Sequence, residues 1–167
     1  SLLHFRGPLI KALAERGHQV LAAAPDIDQA IAASLGNLGA EPVEVPLVNA
    51  SLSPLAMVRS MGELRRAIRA HKPDVLISYT IKPVILAAIA GRLEQVPRIV
   101  SLITGVGYAF TGGRELKRLA SKAAATFLYR LALDRSDEII FQNPDDEALF
   151  RKLGLIAPER RTRMVNG

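Results

Sequence analysis

Short runs of aliphatic and β-branched residues, bounded by turn formers, alternate along the chain with longer stretches in which apolar positions recur every three or four residues. That alternation predicts βαβ units and a parallel sheet. The runs at 19–24, 42–45, 74–78, 98–103, 138–141 and 162–165 are mostly apolar at consecutive positions, as in strands covered on both faces. Helices are expected between them, at 6–16, 27–38, 55–70, 83–93, 114–133 and 145–153, several with Pro at or near the first helical position and two followed by Gly. In the helix at 114–133, Leu116, Leu119, Ala123, Phe127 and Leu131 make the apolar stripe expected to face the core. No internal repeat or low-complexity segment interrupts the pattern.

The pattern is cut short at both ends. The chain opens into a helix with neither an initiator Met nor a strand before it. In a doubly wound sheet the first strand lies between the second and the fourth, so a sheet lacking it should be split. Ser1 is therefore not expected to be the natural start. At the other end the chain stops at Asn166-Gly167, a turn dipeptide directly after a strand, and reads as half of something larger. The expected fold is α/β, a Rossmann-like doubly wound parallel sheet lacking its first strand.

Length and composition narrow the classes. A chain of 167 residues with 49% hydrophobic and 23% charged residues has the balance of one domain with a buried core. The absence of Cys excludes disulfides, thiolate metal sites and a Cys nucleophile, and three scattered His leave little for zinc. The net charge of +6 favours anionic partners such as phosphate groups or acidic lipid. Nucleic acid is not expected, because 5% aromatic residues and no Trp supply few stacking platforms. The apolar runs are too short to cross a bilayer and the start of the chain lacks the pattern of a secretory signal, which points to the cytoplasm.

Ligands of open α/β sheets bind outside the carboxyl ends of the strands, so the loops that follow strands are the candidate sites. The first is Tyr79-Thr80-Ile81-Lys82-Pro83, a hydroxyl pair and an ammonium at a helix start, where backbone N–H groups favour an anion. Lys82 is the best phosphate ligand there; its plain alternative is a solvated lysine beside a helix-starting Pro. The second, Thr104-Gly105-Val106-Gly107-Tyr108-Ala109-Phe110-Thr111-Gly112-Gly113, is rich enough in Gly for a ligand to approach the backbone closely. It matches the dinucleotide fingerprint only in part, since Phe110 stands at the third Gly position, and no phosphate-cradling G-x-x-x-x-G-K-[ST] or nucleophile-elbow G-x-S-x-G occurs. The third is Gln142-Asn143-Pro144-Asp145-Asp146, where helix capping by Asn143 or Asp145 is the favoured reading and the adjacent Asp side chains diverge too far to act as a catalytic pair. His4 and Arg6 fall where the first strand should hand over to its helix, whereas His18 and His71 sit at helix boundaries. Arg114, Lys117, Arg118 and Lys122 load one helix with positive charge, and Arg59, Arg65, Arg66, Arg69 and Lys72 load another. Such faces either dock on acidic lipid or are simply the solvated sides of core helices. No catalytic residue and no metal ligand set stands out.

Several segments together resemble the N-terminal domain of GT-B fold, family 4-like bacterial glycosyltransferases, in particular the branch that builds lipid-linked oligosaccharide, lipopolysaccharide or capsule. They are Phe5-Arg6-Gly7-Pro8-Leu9-Ile10, Arg16-Gly17-His18-Gln19-Val20, Lys72-Pro73-Asp74-Val75, Tyr79-Thr80-Ile81-Lys82-Pro83, Val96-Pro97-Arg98-Ile99-Val100, Thr104-Gly105-Val106-Gly107-Tyr108-Ala109-Phe110, Phe141-Gln142-Asn143-Pro144-Asp145-Asp146 and Val165-Asn166-Gly167. The G-H-x-V and P-D-V pieces are common to many GT-B proteins; T-x-K-P, T-G-x-G-Y-x-F and F-Q-N-x-D together are specific to this branch.

The resemblance implies a metal-independent, retaining transfer from a nucleotide sugar, a UDP-hexose or UDP-N-acetylhexosamine, to a glycan or polyprenyl-diphosphate-linked acceptor at the inner membrane face. It assigns residues 1–167 to the acceptor side and the donor site to a C-terminal domain absent here, so the segment alone is expected to be inactive and to need no cofactor. By the same resemblance His4, Arg6, Gly7, Tyr79, Thr80, Lys82, Thr104, Gly105, Gly107, Tyr108, Phe110 and Asn143 would border the acceptor cleft, and Arg114, Lys117, Arg118 and Lys122 would face an anionic membrane. Three other readings stay open at this point: an enzyme like UDP-N-acetylglucosamine 2-epimerase, a dinucleotide-binding oxidoreductase domain, and a non-catalytic anion-binding Rossmann-like module.

Overall fold

The structure is a computed structural model that describes residues 2–46, 54–105 and 116–165. Each expected element forms. In chain order they are α1 (Leu2–Glu15), β1 (Val20–Ala24), α2 (Gln29–Asn37), β2 (Ala40–Glu44), α3 (Pro54–His71), β3 (Val75–Tyr79), α4 (Ile81–Leu93), β4 (Arg98–Ile103), α5 (Leu116–Arg135), β5 (Glu138–Phe141), α6 (Pro144–Lys152) and β6 (Arg163–Met164). Every pairing between strands is parallel. The strands form two sheets, β1-β2 and β3-β4-β5-β6, which is the expected split. The chain divides into two compact units, residues 1–67 and 68–167.

In the first unit β1 and β2 pair from Val20 opposite Ala40 to Ala24 opposite Glu44. Ile10, Ala22, Leu35 and Ala40 form a buried apolar cluster, with Val20, Ile31 and Leu38 packed against them. Asp28 caps α2, its side chain accepting the Ile31 N–H at 2.7 Å. Gly39 follows α2 at φ +82°, and an added Cβ would lie 2.7 Å from the Cβ of Ala14. Both the backbone and the neighbour therefore demand glycine. One boundary corrects the sequence reading. Helix α1 already starts at Leu2, so His4, Arg6 and Gly7 are helical and not a strand-to-helix handover, and Pro8 lies inside the helix. Pro8 has no N–H to give the His4 carbonyl, which lightens the bonding of this first stretch without ending it.

The second unit is built around α4. Val84, Ile85, Leu86, Ala87, Ala88, Ala90 and Gly91 are all buried, so the helix is apolar on nearly every side and must be enclosed on all of them. The sheet covers one side and α5 the other. Gly91 allows the approach to the sheet, since a Cβ there would come within 2.9 Å of Ile99 Cδ1 and 3.0 Å of Leu76 Cδ2. Further along, Phe150 of α6 meets Tyr129 of α5 and Phe141 of β5 edge to face, with ring centroids 5.3 and 5.2 Å apart.

Two expectations about which side is buried are overturned. Among the described side chains of α5 the buried positions are Tyr129, Ala132 and Leu133, followed by Ser136, whereas Ala123 and Phe127 of the anticipated core stripe are exposed. The partner decides the side: α5 turns toward α4, and residues three and four apart from Tyr129 follow it inward. On β3, Val75 and Ile77 are 48% and 41% exposed, although the run reads as a strand covered on both faces. β3 is the edge of its sheet, and only the face carrying Leu76 and Ser78 is shielded.

The amino ends of the strands are tied by ion pairs. Arg92, from the last turn of α4, pairs with Asp137 and also donates to the Arg135 carbonyl, while the other Asp137 oxygen accepts the Ile99 N–H at 2.7 Å. Arg98 and Arg163 both reach Glu138. Arg151 gathers Glu147, Thr162 and the carbonyls of Ala157, Pro158 and Arg160, which holds the segment leading into β6. Ser101 and Ser136 share a buried hydrogen bond of 2.7 Å between β4 and the end of α5.

Partial burial pushes the Asp137 carboxyl up, but the Ile99 N–H and the Arg92 and Arg98 guanidinium groups outweigh it and hold it below its ordinary value. Hydrogen bonds from Thr162 and Arg151 likewise hold Glu147 low. A carboxyl depressed on folding contributes its stability above its unfolded pKa, about 4, and loses it as pH falls through the folded value. Urea midpoints measured against pH should therefore be flat above about pH 5 and fall below about pH 4, and Asp137→Asn should flatten that acid fall. Gly39→Ala should cost about 2 kcal/mol or more, from the left-handed backbone and the clash with Ala14, measured by urea unfolding.

Candidate functional site

The carboxyl ends of β3, β4 and β5 lie side by side, because Tyr79 pairs opposite Leu102 and Ile103 opposite Phe141. This edge collects the residues that begin the three loops. Tyr79 and Thr80 follow β3, Thr104 and Gly105 follow β4, and Gln142 and Asn143 follow β5, with the Gln142 N–H on the Ile103 carbonyl at 3.4 Å.

Thr80 is the most unusual of them. Its backbone stands at φ 67°, ψ 154°, a conformation that is almost exclusive to glycine, and its side chain does not cap α4. Thr80 is exposed at the mouth of the helix, directly before Ile81 and Lys82, whose N–H groups are the first of α4; Pro83 carries no N–H. Lys82, in the first turn of α4, is half-buried. A strained junction with a threonine, two helix-start backbone donors and a lysine in the first turn has the donor types that suit an anion such as a phosphate oxygen. No sequence signal foretold the strain, since glycine and not threonine is the residue that adopts this conformation freely.

The other candidates divide. Thr104 is exposed and Gly105, at φ +140°, is half-buried at the start of the glycine-rich loop. Asn143 caps α6: its Oδ1 accepts the Asp145 N–H at 2.8 Å with Pro144 at the first helical position, so its acceptor oxygen serves the helix. Desolvation, with Asp145 adding to it, raises the Asp146 carboxyl. Arg6 is half-buried in α1, and Gly7 is buried with Leu38 Cδ1 3.6 Å from where its Cβ would be. The side chain of His4 lies outside the described residues, as do Gly107, Tyr108, Phe110 and Arg114 altogether. Lys117, Arg118 and Lys122 belong to α5, with side chains outside the description. On the second basic helix, Arg66 pairs with Glu63 and Arg69 with Glu94, both at 2.6 Å, as solvated charges do.

A groove of about 430 Å³, bordered by Arg69, Asp74, Glu94 and Pro97, opens at the opposite, amino end of β3 and β4. Ligands of open parallel sheets do not bind at that end, and two of its charged lining residues, Arg69 and Glu94, are paired with each other. Among the described residues no group of His, Cys, Asp or Glu is arranged to hold a metal ion. No helix among them is long and apolar enough to cross a membrane.

With this geometry in hand, known proteins provide the comparison. The model of the glycosyl transferase 4-like domain matches residues 6–167. The N,N'-diacetylbacillosaminyl-diphospho-undecaprenol alpha-1,3-N-acetylgalactosaminyltransferase of Campylobacter jejuni is 26% identical over 155 residues, which are 93% of this chain and 40% of that protein. The chain thus spans about two fifths of that relative's length. Among solved structures, MurG of Acinetobacter baumannii superposes with a TM-score of 0.60 over 98% of this chain and 41% of its own, at 13% identity, a likeness of fold.

If the backbone at Thr80 is strained, glycine relieves it. Thr80→Gly should raise stability by about 1 kcal/mol in urea unfolding, the released strain exceeding the entropy that glycine loses. Thr80→Ala, which keeps the strain, should not.

Proposed function

Because the chain belongs to the glycosyl transferase 4-like family, we propose that it is the acceptor-side domain of a longer, two-domain glycosyltransferase that takes its sugar from a UDP-hexose or UDP-N-acetylhexosamine and passes it to a lipid-linked glycan. The observation that carries the reading is the carboxyl edge of β3, where Thr80, the first N–H groups of α4 and Lys82 make an anion-binding corner. A polyprenyl-diphosphate acceptor offers that corner a diphosphate. The Campylobacter jejuni relative, named for a diphospho-undecaprenol acceptor, supports the same class of substrate.

In this reading the diphosphate of the acceptor rests at the start of α4. Positive helix-end charge and the Lys82 ammonium compensate its negative charge without a metal ion. Thr80 orients it through the hydroxyl that the strained backbone presents. Thr104 and the glycine-rich segment after β4 border the acceptor sugar, where residues without bulk permit close approach. A donor domain closes over the acceptor side, and the nucleotide sugar binds mainly to that domain. Departure of the donor's diphosphate is then a matter of electrostatic stabilisation and closure rather than of one proton-transferring side chain. The retaining outcome, the absence of a cofactor and a cytoplasmic, membrane-peripheral location belong to the same proposal.

The test uses the full-length enzyme with polyprenyl-diphosphate glycans and a panel of UDP-sugars. Lys82→Ala should raise the acceptor KM about tenfold, the worth of one charge-assisted contact, and leave the donor KM nearly unchanged. Unchanged acceptor kinetics would remove the diphosphate role. Epimerisation or hydrolysis of UDP-N-acetylglucosamine with no acceptor present would overturn the transferase reading itself.

A further inference from the structure

Thr80 stands where α4 needs a cap and is a residue type that supplies one, yet its side chain makes no cap bond. Two other helix starts show what is missing. Asp28, at φ −77°, ψ 172°, accepts the Ile31 N–H, and Asn143, at φ −142°, ψ 127°, accepts the Asp145 N–H. Thr80, at φ 67°, ψ 154°, has a ψ between theirs, so the sign of φ is what separates it from a working cap. Its carbonyl already accepts the Val84 N–H at 3.0 Å, as the carbonyl of a capping residue does. The helix side of the residue is therefore in place.

The sign of φ can change without moving α4. Because a peptide is planar, half a turn of the Tyr79–Thr80 unit alters ψ of Tyr79 and φ of Thr80 together and brings Thr80 to a φ of about −113°, in the extended region where caps sit. That peptide follows the last paired position of β3, Tyr79 opposite Leu102, so the register before it is untouched. A second uncompensated group lies close by. Ser78 is 5% exposed on the face of β3 that it shares with Leu76, the face against α4, and its hydroxyl has no hydrogen-bond partner among the described residues. A serine oxygen can accept the N–H two residues on, here that of Thr80, once the peptide has turned. One rotation thus relieves the strain, closes a cap and provides for a buried hydroxyl.

We propose that the Tyr79–Thr80 peptide is a two-position latch on the anion corner. In the open position, the one in the structure, the Thr80 side chain leaves α4 without its cap. In the closed position Thr80 Oγ1 accepts the Lys82 N–H, because Pro83, the next candidate donor, has no N–H to give. An incoming phosphate oxygen then competes with Thr80 for that donor, and an oxyanion that wins it holds the latch open. The inference rests on the reading of this corner as the resting place of a diphosphate, but the two positions exist without a ligand.

Nuclear magnetic resonance of the full-length enzyme, labelled with heavy carbon at Tyr carbonyls and heavy nitrogen at Thr and Lys amides, reads this peptide directly. Tyr79-Thr80 is the one Tyr-Thr step in the 167 residues, and loss of its signal in Thr80→Ala identifies it. Without ligand the signal should show exchange between two positions by relaxation dispersion, and excess inorganic pyrophosphate should collect it in one. Ser78→Ala removes a partner that the closed position alone uses. It should move the unliganded signal toward the pyrophosphate-bound one and lower the acceptor KM about threefold, at unchanged kcat and a melting temperature no lower than the parent's. Thr80→Gly, which takes a positive φ without strain and has no hydroxyl to cap with, should abolish exchange at the Lys82 amide. A signal without exchange, or one that Ser78→Ala leaves in place, overturns the latch, and so does Lys82 exchange that survives in Thr80→Gly. Failure of the diphosphate reading looks different: exchange that Ser78→Ala displaces, but that neither pyrophosphate nor acceptor shifts, supports the latch and removes the diphosphate from this corner.

Discussion

The second unit depends on the enclosure of α4. A helix with Val84, Ile85, Leu86, Ala87, Ala88, Ala90 and Gly91 all buried cannot face water on any side for long, so a sheet and a second helix must both close on it. Gly91 sets how closely, by leaving room for the side chains of Leu76 and Ile99. Once α4 is placed, α5 has one side to offer it, and the Tyr129, Phe141 and Phe150 cluster follows from that choice. The position of the Thr80 junction follows too, because α4 begins directly at the carboxyl end of β3.

Charge is divided between the two ends of the sheet according to work. At the amino ends Arg92, Asp137, Arg98, Glu138 and Arg163 are paired with one another, and the depressed carboxyl of Asp137 is the mark of that commitment. At the carboxyl ends the polar groups are arranged differently. Thr80 is held in a conformation that costs free energy, with a hydroxyl that closes no cap. Strain of this kind persists only where surrounding structure over-determines the backbone, here the burial of β3 on one side and of α4 on the other. The structure thus keeps its ion pairs at one end and its strained junction at the other, the end where open parallel sheets bind ligands.

Elements were largely legible because their signals are local. Continuous apolar runs such as Arg98–Ile103 and Glu138–Phe141 have few alternatives to a strand covered by helices, and Asn143-Pro144 announces a capped helix through its own side chain. Two of the readings that failed required a partner to be known. Which side of α5 is buried depends on α4, and an equally apolar stripe through Ala123 and Phe127 lost the competition to Tyr129, Ala132 and Leu133. Exposure of Val75 and Ile77 depends on β3 lying at an edge, which no property of V-L-I-S-Y reveals. The early start of α1 depended on a proline being tolerated inside a helix, against its usual effect.

What the sequence by itself determined is the order and kind of the elements, the parallel α/β class, the family resemblance and the loops in which polar residues gather, all of which rest on spacing and residue type within a few positions. The tertiary structure alone decided the strain at Thr80, the pairing of Arg92 with Asp137 and the outward turn of Phe127. Each of these is a competition between residues distant in sequence for the same space or the same charge. Such competitions are settled only when α4, its sheet and α5 are packed together.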